Sequence, residues 1–417
     1  MSSLKKSFSV SEDWTVVILG FASIFLVLTG VKLPEPTFSW DGFSQLGTIF
    51  SGANMVAVIN LFLVTYITAV AAFMLTGRPI RNVLIVFPVV FVLTLLALIL
   101  SGNKAVKETN FETVIFSLAL GLLVSNTIKL PAWFKETLTT ELFVKIGLVL
   151  LGTSVIFGDV LKAGSKGLLQ AVIVVISVWY FAYWICKKLK VDSELSMMLA
   201  SAVSICGVSA AIATAGAIKG DSKKLSYVVS VVLLTAVPMM IIMPYIANYF
   251  HFPEAVTGAW LGGTIDTTGA VVASGSLVGD EALKISTIVK FSQNVLLGIA
   301  AFAISVYWTY TKKEGLDPDT KPTLKMIWDR FPKFVVGFVA ASLLFSFVLS
   351  PEAIREAKAP LKHIQSLWFA LAFTSIGLET NFRELLQLNN LKPMYAFLIA
   401  QLFNIIVTLV IAMLLFS

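Results

Sequence analysis

The sequence predicts an all-α polytopic membrane protein of about thirteen transmembrane helices, organised as two oppositely inserted five-helix repeats behind three additional N-terminal spans. Three observations carry the prediction. Of 417 residues, 57% are apolar and only 13% charged, and the mean hydropathy is +0.89. A soluble domain carries charge on about a quarter of its residues, whereas here the charges collect in short islands between long apolar runs. The runs recur at lengths that cross about 30 Å of hydrocarbon. Some are interrupted by small and polar residues, and broken backbone at that depth is tolerated only against protein or a wet cavity. A water-soluble enzyme is excluded, and interruptions point toward a site.

In chain order the spans are expected near 14–31, 53–76, 82–100, 113–128, 142–159, 167–186, 195–218, 225–249, 255–276, 283–309, 331–350, 363–380 and 394–416. The first follows Lys5 and Lys6 in the manner of a signal peptide, but no small-residue cleavage site comes after it, so it reads as a span. With the N-terminus in the cytoplasm of a bacterium and the chain in its plasma (inner) membrane, Lys5, Lys6, Arg78, Arg81, Lys187, Lys188, Lys190 and the 312–333 loop fall on the cytoplasmic side. Lys219, Lys223 and Lys224 fall opposite, so the bias is modest, and an odd span count places Ser417 outside. The stretch 311–325, with Gly315, Pro318 and Pro322 among charges, is the one linker-like segment.

Comparison of the two halves sets the repeat. Val144-Lys145-Ile146-Gly147 leading to Leu150-Leu151-Gly152 parallels Val289-Lys290-Phe291-Ser292 leading to Leu296-Leu297-Gly298. In that register 1–112 holds the three extra spans, 113–250 the first repeat and 251–417 the second. The fourth member of each repeat is then the interrupted one, at Ser204 to Ser209 and at Thr374 to Glu379. An odd number of spans per copy forces opposite insertion, the arrangement of secondary transporters whose paired interrupted segments mark a substrate site near mid-membrane.

Four clusters can carry chemistry. In the first, Ser204, Cys206, Gly207 and Ser209 break an apolar span; such small residues also serve close helix packing. If the helix unwinds at Gly207, the half-helix that follows offers free N–H groups and a positive dipole end to an anion. The second runs from Gly262 to Gly275 around Asp266, with Thr264, Thr267 and Thr268 beside it. An ionised carboxylate in an apolar span costs at least about 2.5 kcal/mol, so Asp266 faces either a cavity or a partner helix that it pins. The third is Lys290 with Asn294 one turn on, an ammonium and an amide on one face. Lys290 can pair with Asp266 structurally, or release it as a switch when proton or substrate arrives. At the second interruption stand Thr374, Ser375, Gly377 and Glu379, the glutamate either in the site or at the membrane surface. Lys145 is read as snorkelling to the interface, and Asp159, His251 and His363 as interfacial.

Lys and Arg are scattered over short loops rather than clustered with aromatics, so no nucleic-acid partner is expected despite a net charge of +7. Cys186 and Cys206 lie inside apolar segments and the two histidines far apart, which predicts no metal site and no cofactor beyond a possible coupling Na+ or H+. No G-x-S-x-G or H-E-x-x-H motif lies in a span, so no enzymatic activity is expected.

The string Ser204-Ile205-Cys206-Gly207-Val208-Ser209-Ala210-Ala211 resembles the SICG-x-SA signature of the YeiH-like sulfate exporter family, and Val271-Val272-Ala273-Ser274-Gly275 resembles its second signature. The resemblance covers about residues 113–417. It implies the superfamily of sodium/proton antiporters and bile-acid symporters, with a core domain of two crossing discontinuous helices, a scaffold domain, and often a homodimer. Asp266-Thr267 stands where many members carry a His-Glu pair, and the three N-terminal spans are extra. The expected function is secondary active transport of a small inorganic or organic anion, a sulfate-like oxyanion or organosulfonate, across the lipid bilayer by alternating access. Coupling to H+ or Na+ would run through Asp266, with Lys290 balancing charge. The alternatives are a cation/proton antiporter, which the same two residues would serve, and an ion channel, which needs a continuous polar path.

Overall fold

The protein is described here by a computed structural model covering residues 9–31, 36–108, 113–311, 325–380 and 391–417. Lys5, Lys6 and nearly all of the linker-like stretch fall outside these residues. Among the described residues the structure is helical, apart from an isolated bridge between Trp40 and Asn103. The helices are α1 (Glu12–Leu28), α2 (Phe43–Ile49), α3 (Gly52–Thr76), α4 (Ile80–Ser101), α5 (Lys104–Glu108), α6 (Thr113–Thr127), α7 (Ala132–Thr137), α8 (Thr140–Leu151) and α9 (Phe157–Lys188). They continue as α10 (Ser193–Ser201), α11 (Val208–Ile218), α12 (Ser222–Tyr249), α13 (Glu254–Thr264), α14 (Thr268–Ser276) and α15 (Asp280–Thr311). The series closes with α16 (Lys325–Arg330), α17 (Lys333–Leu343), α18 (Pro351–Glu379) and α19 (Lys392–Phe416). Among the described residues, seven helical stretches are long and apolar enough to cross a membrane. The remaining predicted spans are shorter, interrupted or more polar.

The chain divides into two compact units, one of residues 1–157 and 333–381, the other of 158–332 and 382–417. In the first, α18 packs along α6 and α8, and α1 along α8 and α17. Glycines set these spacings. A Cβ on Gly121 would lie 2.4 Å from the Thr374 carbonyl oxygen, one on Gly377 would lie 2.5 Å from that of Leu118, and one on Gly147 would meet the Phe369 ring at 2.4 Å. Lys145 is held in ion pairs. Its Nζ lies 3.1 Å from both Glu12 Oε1 and Asp13 Oδ1, at the N-terminus of α1, and Arg78 adds a 2.8 Å contact to Glu12.

The predicted interruption at Thr374, Ser375, Gly377 and Glu379 is overturned: α18 is one unbroken helix through these residues. The hydroxyls are satisfied one turn back, Thr374 Oγ1 by donating to the Ala370 carbonyl and Ser375 Oγ to that of Leu371. Thr374 also meets Thr94 of α4, hydroxyl to hydroxyl at 2.8 Å. Gly377 is there for close approach to α6, and Glu379 accepts a 2.7 Å hydrogen bond from Thr140 Oγ1 at the end of the helix.

In the second unit, α15 is the spine. A Cβ on Gly258 would lie 2.7 Å from the Ala282 carbonyl oxygen, and one on Gly262 would lie 2.4 Å from that of Ser286. These two pairs, each spaced i,i+4, seat α13 directly against α15. Gly275 brings α14 onto the same stretch, where an added Cβ would meet Ser286 Oγ at 2.5 Å and Leu283 Cα at 2.9 Å.

Candidate site at the interrupted helices

Both interruptions lie in the second unit. Helix α10 passes into a π-turn over Ala202–Cys206 and stops at Gly207, whose backbone takes φ 55° and ψ −114°, before α11 begins at Val208. That conformation suits glycine, and a Cβ there would meet Val232 Cγ1 at 2.8 Å. The second break is the stretch Ile265-Asp266-Thr267 between α13 and α14, with Ile265 at ψ 131° and Thr267 at ψ 142°. Thr264, Ile265, Thr267 and Thr268 are β-branched and lose χ1 freedom in a helix, which favours the extended local form. Thr267 then caps α14 by accepting from the Ala270 N–H at 3.3 Å.

The two breaks meet. The Cβ direction of Gly207 points at Asp266, 3.1 Å from its Cβ and 3.2 Å from its carbonyl oxygen. Lys290, 1% exposed, donates to the Ile205 carbonyl at 2.9 Å, the Ile265 carbonyl at 2.8 Å and Gln293 Oε1 at 3.0 Å. An ammonium has three donors, so all are used. Its partners are a carbonyl from each break and an amide, not the Asp266 carboxylate. Further amides finish the carbonyl ends. Gln293 Nε2 donates to Gly263 O at 2.8 Å, Gln401 Nε2 to Thr264 O at 3.0 Å, and Asn404 Nδ2 to Val203 O at 3.0 Å and to Thr264 O at 3.3 Å. Thr408 Oγ1 holds Asn404 by donating to its Oδ1 at 2.7 Å.

The opposite ends are treated differently. The first-turn N–H groups of α11 and α14 have no partner within their own helices, apart from the Ala270 N–H that Thr267 takes. Beside them Asp266 is 2% exposed and its Oδ2 is without a hydrogen-bond partner, as are Thr264 Oγ1 and Asn294 Oδ1. Asn294 Nδ2 reaches Thr268 Oγ1 at 3.3 Å. The structure thus pairs negative helix ends with resident donors and leaves positive ends next to a buried carboxylate.

Of the residues singled out from sequence, Ser204, Cys206, Gly207, Thr264, Asp266, Thr267, Thr268, Lys290 and Asn294 belong to this crossing. Ser204 spends its hydroxyl on the Ala200 carbonyl at 2.7 Å, and Ser209 stands exposed on the first turn of α11. Thr374, Ser375, Gly377 and Glu379 belong to the other unit. Sequence reading missed Gln401 and Asn404, and also Gln170, which donates to the Ala259 carbonyl at 2.7 Å. The signal was available: each is an amide inside an apolar span, where a polar side chain needs a partner.

A chain of apolar helices with two interrupted members meeting around buried charge defines a polytopic helical membrane protein. The chain belongs to the family described as Conserved hypothetical protein 698, whose model matches residues 85–396. It is 40% identical to a UPF0324 membrane protein of Rhodopirellula baltica, over 86% of this chain and 68% of that one. It is 36% identical to a UPF0324 membrane protein of Nitratidesulfovibrio vulgaris, over 82% of this chain and 60% of the relative. A UPF0324 membrane protein of Nitrosomonas europaea is 27% identical over 93% of this chain and 92% of its own. The chain therefore spans about two thirds of the length of the first two relatives. No solved structure matches it.

Proposed function

We propose that the protein is a secondary active transporter that moves a small anion, a sulfate-like oxyanion or organosulfonate, by alternating access, coupled to a proton or sodium gradient through Asp266. What carries the reading is the asymmetry of the crossing. One ammonium and three side-chain amides occupy the carbonyl ends, while the first-turn N–H groups of α11 and α14, apart from that of Ala270, have no partner in their own helices and lie beside a buried carboxylate. Helix N-termini bind anions, and interrupted helices in transporters aim them at anionic substrate groups. Asp266 supplies the charge that makes substrate binding depend on a second ion: ionised it repels an anion, and neutralised it admits one.

Asp266→Asn tests this in proteoliposomes. The variant is expected to fold and insert but to lose transport, or to carry anion without response to the ion gradient. Unchanged flux of every anion and cation tried would contradict the proposal. A second reading, a cation/proton antiporter, is favoured by the unpartnered Asp266 Oδ2, an acceptor suited to a cation. Proton release on addition of sodium, with none on addition of sulfate or sulfite, would select it.

A further inference from the structure

Lys290 does more than satisfy buried carbonyls. We infer that it is a tethered monovalent cation, occupying an oxygen-lined site built by the carbonyl ends of both interrupted helices, so that the crossing binds no diffusible sodium there. The inference rests on reading the crossing as the transport site, and it narrows which ion that site uses.

Three observations lead to it. The ligands of the ammonium are two main-chain carbonyls and an amide oxygen, at 2.8 to 3.0 Å, with no carboxylate among them. Unwound backbone carbonyls and half-helix C-termini are the groups with which interrupted helices coordinate a small cation. Here both breaks turn such a group toward one nitrogen. The neighbouring carbonyls of Val203, Gly263 and Thr264 are likewise committed, to Asn404, Gln293 and Gln401. Finally, Lys290 is among the largest fully buried side chains of the described residues, so stem and ammonium alike are shielded from solvent. The net effect is an ammonium held where two negative dipole ends converge. It joins α10, α13 and α15 at one atom.

Melting curves of purified protein at constant ionic strength test this. Asp266→Asn, which keeps Lys290 and removes the carboxylate that could itself hold sodium, is expected to melt at the same temperature in sodium, potassium and choline chloride. Lys290→Ala should melt lower in choline, and sodium or methylammonium should restore part of the loss with saturation, since a free cation re-enters the oxygen shell. Lys290→Met, whose stem occupies the same space without charge, should melt lower and not be restored. Saturable stabilisation by sodium that persists in Asp266→Asn, where Lys290 is kept, would overturn the inference, as would a Lys290→Ala variant lowered equally in all salts or a Lys290→Met variant as stable as wild type. If Lys290→Ala yields no folded protein, the Asp266→Asn and Lys290→Met curves decide. Failure of wild-type anion flux would sink the transport reading and leave these curves untouched, so the two claims fail separately.

Discussion

Gly207 and Asp266 face each other across the two breaks, and each is constrained by the other's presence. Gly207 sits at positive φ with Val232 and Asp266 within contact distance of any added methyl. Gly207→Ala combines a strained backbone with a clash and should cost about 1–3 kcal/mol, read as a lowered melting temperature. Transport should fall with it, because the first-turn N–H groups of α11 would be displaced. Asp266, Lys290 and the Ser204 to Gly207 string were legible in the sequence for one reason: polar groups in a long apolar run need a partner. Their partners were not legible. Sequence leaves open whether Lys290 pairs directly with the Asp266 carboxylate; it is held by main-chain carbonyls, which have no sequence signature. Lys145 matched Lys290 in its surrounding letters yet forms ion pairs with Glu12 and Asp13. Local sequence sets what a buried ammonium needs; the packing of distant helices decides what supplies it.

The same ambiguity acts on whole helices. Hydroxyls and a glycine interrupt the apolar pattern at 204–209 and at 374–379 alike. In the first case glycine at positive φ ends the helix; in the second the hydroxyls bond back into an intact α18 and the glycine admits α6. Gly377→Leu should therefore destabilise by about 1–3 kcal/mol through overpacking against Leu118 and Gly121, measured by thermal melting, while leaving the α10–α11 break as it is. The true second break lies among β-branched residues, Thr264, Ile265, Thr267 and Thr268, three of which also carry hydroxyls. At the start of α10, Asp192 caps the Glu194 and Leu195 N–H groups and meets Lys224 Nζ at 2.7 Å. Partial burial pushes the Asp192 carboxyl up, but Lys224 and the capped N–H groups outweigh it and hold it below the usual range. A depressed folded value means the cap's contribution is complete above the unfolded value near 3.9 and fades as pH falls through the folded one. Hydrogen exchange in the first turn of α10, corrected for intrinsic rates, should thus accelerate at pH 3 but not between pH 5 and 7.

At the scale of the molecule, the membrane class followed from composition, while the arrangement of helices did not. The repeat register set by Lys145 and Lys290 would place both interruptions in fourth members. The breaks instead fall in the fourth predicted span of one group and the first of the other, so that register does not superpose them. The compact units also cut the chain differently, returning 333–381 to the N-terminal helices and 382–417 to the helices that hold the breaks. Loop charge gave only a modest orientation, and its prediction is direct: green fluorescent protein fused before Met1 should fluoresce, and alkaline phosphatase fused after Ser417 should be active. Both reporters signalling from the cytoplasm would require an even number of crossings. The central claim is that an anion binds where α11 and α14 begin. The most direct measurement is an anomalous difference map from crystals soaked with a selenium analogue of whichever anion proteoliposomes carry. A peak is expected about 3–4 Å from the N–H nitrogens of Val208, Ser209, Thr268 and Gly269; a peak elsewhere in the protein, with that position empty, would contradict anion binding there.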